Sequence, residues 1–425
     1  MKSFKDMSKD ELLKEKESLT AAYEACKAKG VTANMARGKP GNDQLALSMP
    51  MLDVLSSSAD YNAEGKVDCR NYGELTGIID AKKLFSEYMG VTTEEIIVVG
   101  STSLTFMNDC VARAMIAGVL GSEKPWCKEE KIKFLAPVPG YDRHWSICQF
   151  MGIEMINVPT NPDGPDMDVV EKLVAGDPLI KGMWIVPKFS NPLGITYSDQ
   201  VVRRLAALKP AAKDFRIFAD NAYAMHEVYK DVPLLNMLEA CKEAGNPNMI
   251  FLFGSTNKIT FPGAGVGFIA ASKENITFTE KQLSMQAIGF DKMNMLRHVR
   301  FLKSVDGIRT HMKKHAEILR PKFDLVLNKL GAELSNRGAG EWIKPEGGYF
   351  ITFIAEEGCA KRIVALCKDA GVVMTAAGAT HPLGNDPEDK YIRIAPTFPA
   401  LAELETAMEI FCVAVKLATV EKKLA

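Results

Sequence analysis

Between about Glu94 and Ala271, seven short runs rich in aliphatic, β-branched and aromatic residues alternate with helical segments: EIIVVG, KIKFLAPV, IEMINVP, GMWIVPKF, FRIFAD, MIFLFG and GVGFIAA. Most are apolar at successive positions, so both faces of each strand need cover. Strands covered on both faces are joined by helices, which predicts an α/β large domain with a mixed, mostly parallel seven-stranded sheet. In such sheets ligands lie outside the carboxyl ends of the strands. The residues that close each run are therefore the ones to search for chemistry.

The 425 residues exceed what one hydrophobic core commonly holds, about 250–300, so a second domain is expected. Ser8-Lys9-Asp10-Glu11 has the form of a capping box and opens a helical pattern from about Glu11 to Lys29, stopped by Gly30. A second pattern runs from Leu75 to Met89 and ends at Gly90. Beyond about Ile276 the chain turns helical, and the Lys and Arg residues of MLRHVRFLKSVDGIRTHMKKHAEIL read as solvated faces rather than an anion site. Two strand-like runs, YFITFI and YIRIAPTF, precede a last helix through Leu417, giving a smaller α+β domain. The predicted division is 1–48 (joining the small domain), 49–290 (large) and 291–425 (small).

A formal net charge of −1 offers no basic excess for nucleic acid or anionic membrane, so neither is an expected partner. The nine cysteines are scattered with no Cys-x-x-Cys pair and read as reduced thiols, with no metal site. The charged stretch MKSFKDMSKDELLKEKESL reads as no signal peptide, and no apolar run approaches the ~18 residues of a membrane span. A cytoplasmic address is expected.

Lys258 lies in FLFGSTNKITFPGAGVGFIAAS, with Asp220 38 residues upstream in FRIFADNAYAM and Asn191 29 residues before that in IVPKFSNPLG. An amine on a rigid strand-end turn, a carboxylate at a strand end and hydroxyl and amide donors are what a pyridoxal 5'-phosphate site requires. Lys258 would form the Schiff base, Asp220 would keep the ring nitrogen protonated, and Tyr223 and Asn191 would donate to the ring oxygen. Strand, Gly100-Ser101-Thr102-Ser103, then helix offers a phosphate turn, with Ser255 as a further donor. In PGYDRHW, Tyr141 could stack on the ring and His144 could brace Asp220. Arg393 could clamp an α-carboxylate. Each has a plainer reading taken singly: Asp220 as a helix cap, Tyr223 as core, His144 as a satisfied core histidine, Arg393 as surface.

On these residues the chain, from about Arg37 to Arg393, resembles the fold-type I pyridoxal phosphate enzymes of the class I/II aminotransferase family. Within it PGYDRHW, NPLG, ADNAY and NKITFPGAGVGF look most like the aspartate aminotransferase subgroup once called Ic. The resemblance implies the roles above, places Gly38 in the loop that covers substrate, and matches Tyr72 to the tyrosine that reaches the neighbouring subunit's phosphate. It thus implies a homodimer with shared active sites. The implied reaction is a ping-pong transamination between an amino acid, aspartate or a related dicarboxylic one, and a 2-oxo acid. A β-lyase or decarboxylase, or a ligand-sensing regulator domain, is the alternative on the same fold. One departure stands out: the arginine usual seven or eight residues after the lysine is absent from PGAGVG. Arg37 and Lys39 are the candidates for a side-chain carboxylate.

Overall fold

In the computed structural model, which describes residues 2–425, Ser8 caps helix α1 (Lys9–Lys27). Its hydroxyl accepts from the Glu11 N–H at 3.3 Å while the Glu11 carboxylate accepts from the Ser8 N–H at 2.6 Å, the reciprocal pair its sequence predicts. Helix α2 (Ile79–Met89) starts four residues later than the apolar spacing implies. The reason is Gly77: at φ +94° it lies 2.8–2.9 Å, measured from where a Cβ would sit, from Val98, and no helix contains that conformation. Gly90, left-handed at φ 67°, ends α2 as expected.

All seven predicted runs form strands of one sheet. They are β1 (Ile96–Gly100), β2 (Lys133–Val138), β3 (Glu154–Asn161), β5 (Ile180–Ile185), β6 (Arg216–Asp220), β7 (Ile250–Ser255) and β8 (Val266–Ala270). An eighth, β4 (Gly164–Pro165), was not foreseen: the end of β3 turns back on itself and adds two antiparallel residues at the edge. The order is β1-β8-β7-β6-β5-β2-β3-β4. β8 runs antiparallel to both its neighbours, while β7, β6, β5, β2 and β3 are mutually parallel. The central β5, β6 and β7 are buried at every position, as two-sided cover demands, while β3, next to the edge, is mostly half-buried or exposed.

Helix α3 (Ser103–Ala117) follows β1, and α4 (Asp142–Phe150) follows β2. After the sheet come α5 (Lys292–Leu302) and the long α6 (Val305–Leu334). A three-stranded antiparallel sheet then forms from β9 (Gly340–Trp342), β10 (Ile351–Ala355) and β11 (Tyr391–Ile394). The last helix, α7 (Leu401–Leu424), runs past the predicted end at Leu417. The N-terminal segment packs here: Ala33–Asn34 pairs in parallel with Val372–Val373, and Leu12, Leu19 and Tyr23 of α1 share a core with Leu404, Met408 and Phe411 of α7. Loops from both halves meet over the carboxyl ends of β5, β6 and β7.

Candidate active site

Asp220 is the last residue of β6 and is only 4% exposed. Its Oδ2 lies 3.3 Å from His144 Nε2 without a hydrogen bond between them, and neither Oδ1 nor His144 Nε2 has a hydrogen-bond partner. His144 is set by α4, whose first turn puts it on the same side as the preceding Tyr141, ring centroids 5.0 Å apart. Behind it the Trp184 ring of β5 stacks at 4.5 Å and 11°. A buried carboxylate left with one idle oxygen is costly unless a cationic donor meets it. The protonated ring nitrogen of pyridoxal phosphate is such a donor, so the residues present fit the group.

Lys258 follows β7 by three residues, its ammonium 4.8 Å above the Tyr223 ring. Desolvation lowers its pKa, and the nearby Asp220 charge opposes that shift. Burial, with the neighbouring Tyr141 and Asp220, pushes the Tyr223 phenol well up. Asn191, 5% exposed, sits beyond β5 and accepts from Arg393 at 3.0 Å.

The turn expected to receive a phosphate lies at the end of β1. Ser101 takes φ +48°, and Thr102 caps α3 with its hydroxyl accepting from the Leu104 N–H at 3.3 Å. The Ser103 N–H, first in α3, has no carbonyl to reach inside the helix. Ser255 closes β7 opposite Gly267 of β8, and a Cβ on Gly267 would stand 2.9 Å from Thr102 and 3.1 Å from the Ser103 nitrogen. A Cβ on Gly265, seven residues after Lys258, would meet Asn257 at 2.7 Å and the Ser101 carbonyl at 2.9 Å. At Gly265 and Gly267 the chain passes the turn too closely for a side chain to leave from either position.

Arg393 faces the same space from β11. Besides Asn191 it donates to Thr375 Oγ1 at 3.1 Å and the Ala36 carbonyl at 3.3 Å, and lies 3.5 Å from Asp142. Its guanidinium stands 4.7 Å over the Phe350 ring, and Gly38 presses on that ring so closely that a Cβ would come within 2.4 Å. Arg37 is exposed, and the Lys39 ammonium sits 3.8 Å over Phe398. Tyr72 stands apart from the cluster, 83% exposed.

Sequence reasoning missed Phe350, Thr375 and Asp142, which carry no motif of their own, although Asp142 lies inside PGYDRHW. It also missed the polar wall behind Lys258. There His311 Nε2 lies 2.8 Å from the Ile259 carbonyl and 3.2 Å from His315, and His298 lies 2.9 Å from Thr260 Oγ1. Gln44 joins His315 (3.0 Å) to the Tyr349 hydroxyl (3.2 Å), which is 3.5 Å from the Lys258 carbonyl. The i, i+4 spacing of His311 and His315 was the one readable signal.

The fold and this cluster define a fold-type I, pyridoxal phosphate-dependent aminotransferase. A structure of an α-aminoadipate aminotransferase of Thermus thermophilus, in complex with N-(5'-phosphopyridoxyl)-L-leucine, shares the fold at a TM-score of 0.74 with 19% identity, over 93% of this chain and 94% of that one. The chain matches the family model described as aspartate amino-transferase over residues 7–425 and belongs to that family. It is 42% identical over 406 residues to an aspartate aminotransferase of Corynebacterium glutamicum, covering 95% of this chain and 94% of the relative. The crystal structure of an aspartate transaminase from the same organism superposes with a TM-score of 0.96 at 41% identity, covering 100% of this chain and 99% of the other. Among the described residues no helix is long and apolar enough to cross a membrane.

Proposed function

We propose that this aminotransferase moves an amino group from aspartate or a related dicarboxylic amino acid to a 2-oxo acid in two half-reactions at one site. The observation that carries the reading is the buried Asp220 with its idle oxygen beside a desolvated Lys258. Pyridoxal 5'-phosphate, when bound, supplies the electron sink for the carbanion formed at the substrate α-carbon. Asp220, braced by His144, keeps the ring nitrogen protonated, and Tyr141 covers the ring. The Asn191 amide and Tyr223 hydroxyl donate to the ring oxygen. Ser101, Thr102, Ser103 and Ser255 receive the phosphate.

Lys258 would be the point of covalent attachment and, as a free amine, the base that would take the substrate α-proton. Its lowered pKa raises the neutral fraction that this step needs. Arg393 receives the substrate α-carboxylate in exchange for its present neighbour Asp142, on the Phe350 platform under the Ala36–Gly38 loop. The cleft then lies between the 49–290 domain and the other two segments, 1–48 and 291–425. The exposure of Tyr72 supports a homodimer in which it serves the neighbouring site. Nine free cysteines, eight of them buried, support a cytoplasmic enzyme.

The test is a donor screen on purified protein with 2-oxoglutarate as acceptor. Aspartate should give oxaloacetate at a higher kcat/KM than aromatic or branched donors. Turnover with those donors alone would sink the dicarboxylic assignment, and release of pyruvate and ammonia without acceptor would mark a lyase.

A further inference from the structure

A phosphate dianion taken out of water needs a cation as well as amide donors, since a buried charge left uncompensated is strongly unfavourable. The Ser101–Ser103 turn holds none, and neither does PGAGVG beside it. Helix α5 borders this region and has a surplus: Lys292, Arg297 and Arg300 with no acid inside the helix, Asp291 being its cap. Asn294 of α5 donates its amide to the Ala264 carbonyl at 3.1 Å and the Gly265 carbonyl at 2.9 Å, tying the helix to the residues that abut Ser101. Arg297 in turn donates to Asn294 Oδ1, its Nε is buried without a partner, and no carboxylate among the described residues pairs with it. Lys292, 4% exposed, has the Gly73 carbonyl as its partner at 3.0 Å, next to Tyr72. Lys292 and Lys322 are buried more deeply than Arg297, but each has a backbone carbonyl for its ammonium, whereas Arg297 Nε is buried with no partner.

We propose that Arg297 supplies the cation for the cofactor's phosphate, replacing the side chain that Gly265 has no room to carry. Asn294 holds it against the start of β8, and Lys292 fastens the Tyr72 loop to the same helix. This rests on the pyridoxal phosphate reading above and adds a residue to it.

The experiment resolves the holoenzyme and measures rebinding of pyridoxal 5'-phosphate and of pyridoxal, which lacks the phosphate. Arg297→Met should weaken the phosphorylated ligand by about 10- to 100-fold and leave pyridoxal affinity and the melting temperature of the cofactor-free protein unchanged. Arg297→Lys, which keeps the charge but loses the fork, should recover part of the affinity and shift the phosphorus resonance of the bound ligand. Unaltered phosphate-ligand affinity, or equal loss for both ligands, overturns the proposal. If Arg297→Met does not fold, the lysine variant decides, and a phosphorus resonance identical to that of the wild type overturns it. Wild-type protein that binds neither ligand overturns the cofactor reading along with it.

Discussion

The two ends of the cleft are built in opposite ways. Around Asp220 the groups come from strand ends and the first turn of one helix, and the carboxylate has an oxygen with nothing to bond. Around Arg393 the groups come from distant segments, Ala36, Asp142, Asn191, Phe350 and Thr375, and both terminal nitrogens already have partners. The first end is preorganised for a permanent guest, because an unmet buried charge favours whatever cation completes it. At the second, internal partners already hold the guanidinium, so a substrate carboxylate bound there as proposed would have to displace some of them.

Lys258→Ala tests what both ends serve and should have the largest effect, a loss of turnover on the order of 10⁴-fold together with the imine absorbance. Retention of either would break the assignment. Asp220→Asn tests the preorganised end. Removing one member of a buried charge pair costs about 3–5 kcal/mol, so kcat should fall on the order of 10²- to 10³-fold, with weaker cofactor retention; a kcat within a few fold of wild type would mean the idle oxygen has no guest.

At the other end Asp142→Asn should act mildly and in the opposite direction. Freed of a competing carboxylate, Arg393 should bind substrate better, lowering KM by about two- to fivefold with little change in kcat. A raised KM would show that Asp142 positions the arginine instead of competing for it.

The histidine wall behind Lys258 sharpens the contrast through stability. Burial lowers the pKa of His298 and of His315 to about 4, and below the usual 6.5 that of His311 and of the buried His226, which lies edge-on between the Tyr223 and Tyr349 rings. His315 feels the His311 charge as well, and His226 those of Lys258, His315 and Lys188. Arg297 bears on His298 and Lys314 on His311, while Asp291 and Asp43 act in the other direction on His298 and His315. Groups neutral in the fold and protonated when unfolded stabilise fully above pH 6.5 and lose that contribution as pH falls toward 4. The melting temperature should therefore drop by several degrees between pH 7 and pH 5, and a flat profile would remove the wall from the account.

The large sheet was legible because two-sided burial writes itself as unbroken apolar runs, and the first residues after those runs are the ones the fold gathers at the sheet's carboxyl edge. The two-residue pairings Ala33–Asn34 with Val372–Val373 and Gly164–Pro165 with β3 were not, because so short a strand has no periodicity to read. Lys258, Asp220, Asn191 and Tyr223 stood out because each ends or follows a strand run in the order the chemistry needs. Phe350, Thr375 and the histidines did not, since each is ordinary in its own segment and acquires its neighbours only when distant loops converge.

What the sequence determined by itself is the alternation that makes the sheet and the residue types at its carboxyl edge, for both follow from local pattern. Tertiary structure alone decided why Gly265 and Gly267 carry no side chain, since that depends on how closely the chain there passes Ser101 and Thr102. It also decided that the half-buried Arg297, beside the Asn294 that ties α5 to Gly265, keeps a buried Nε without a partner.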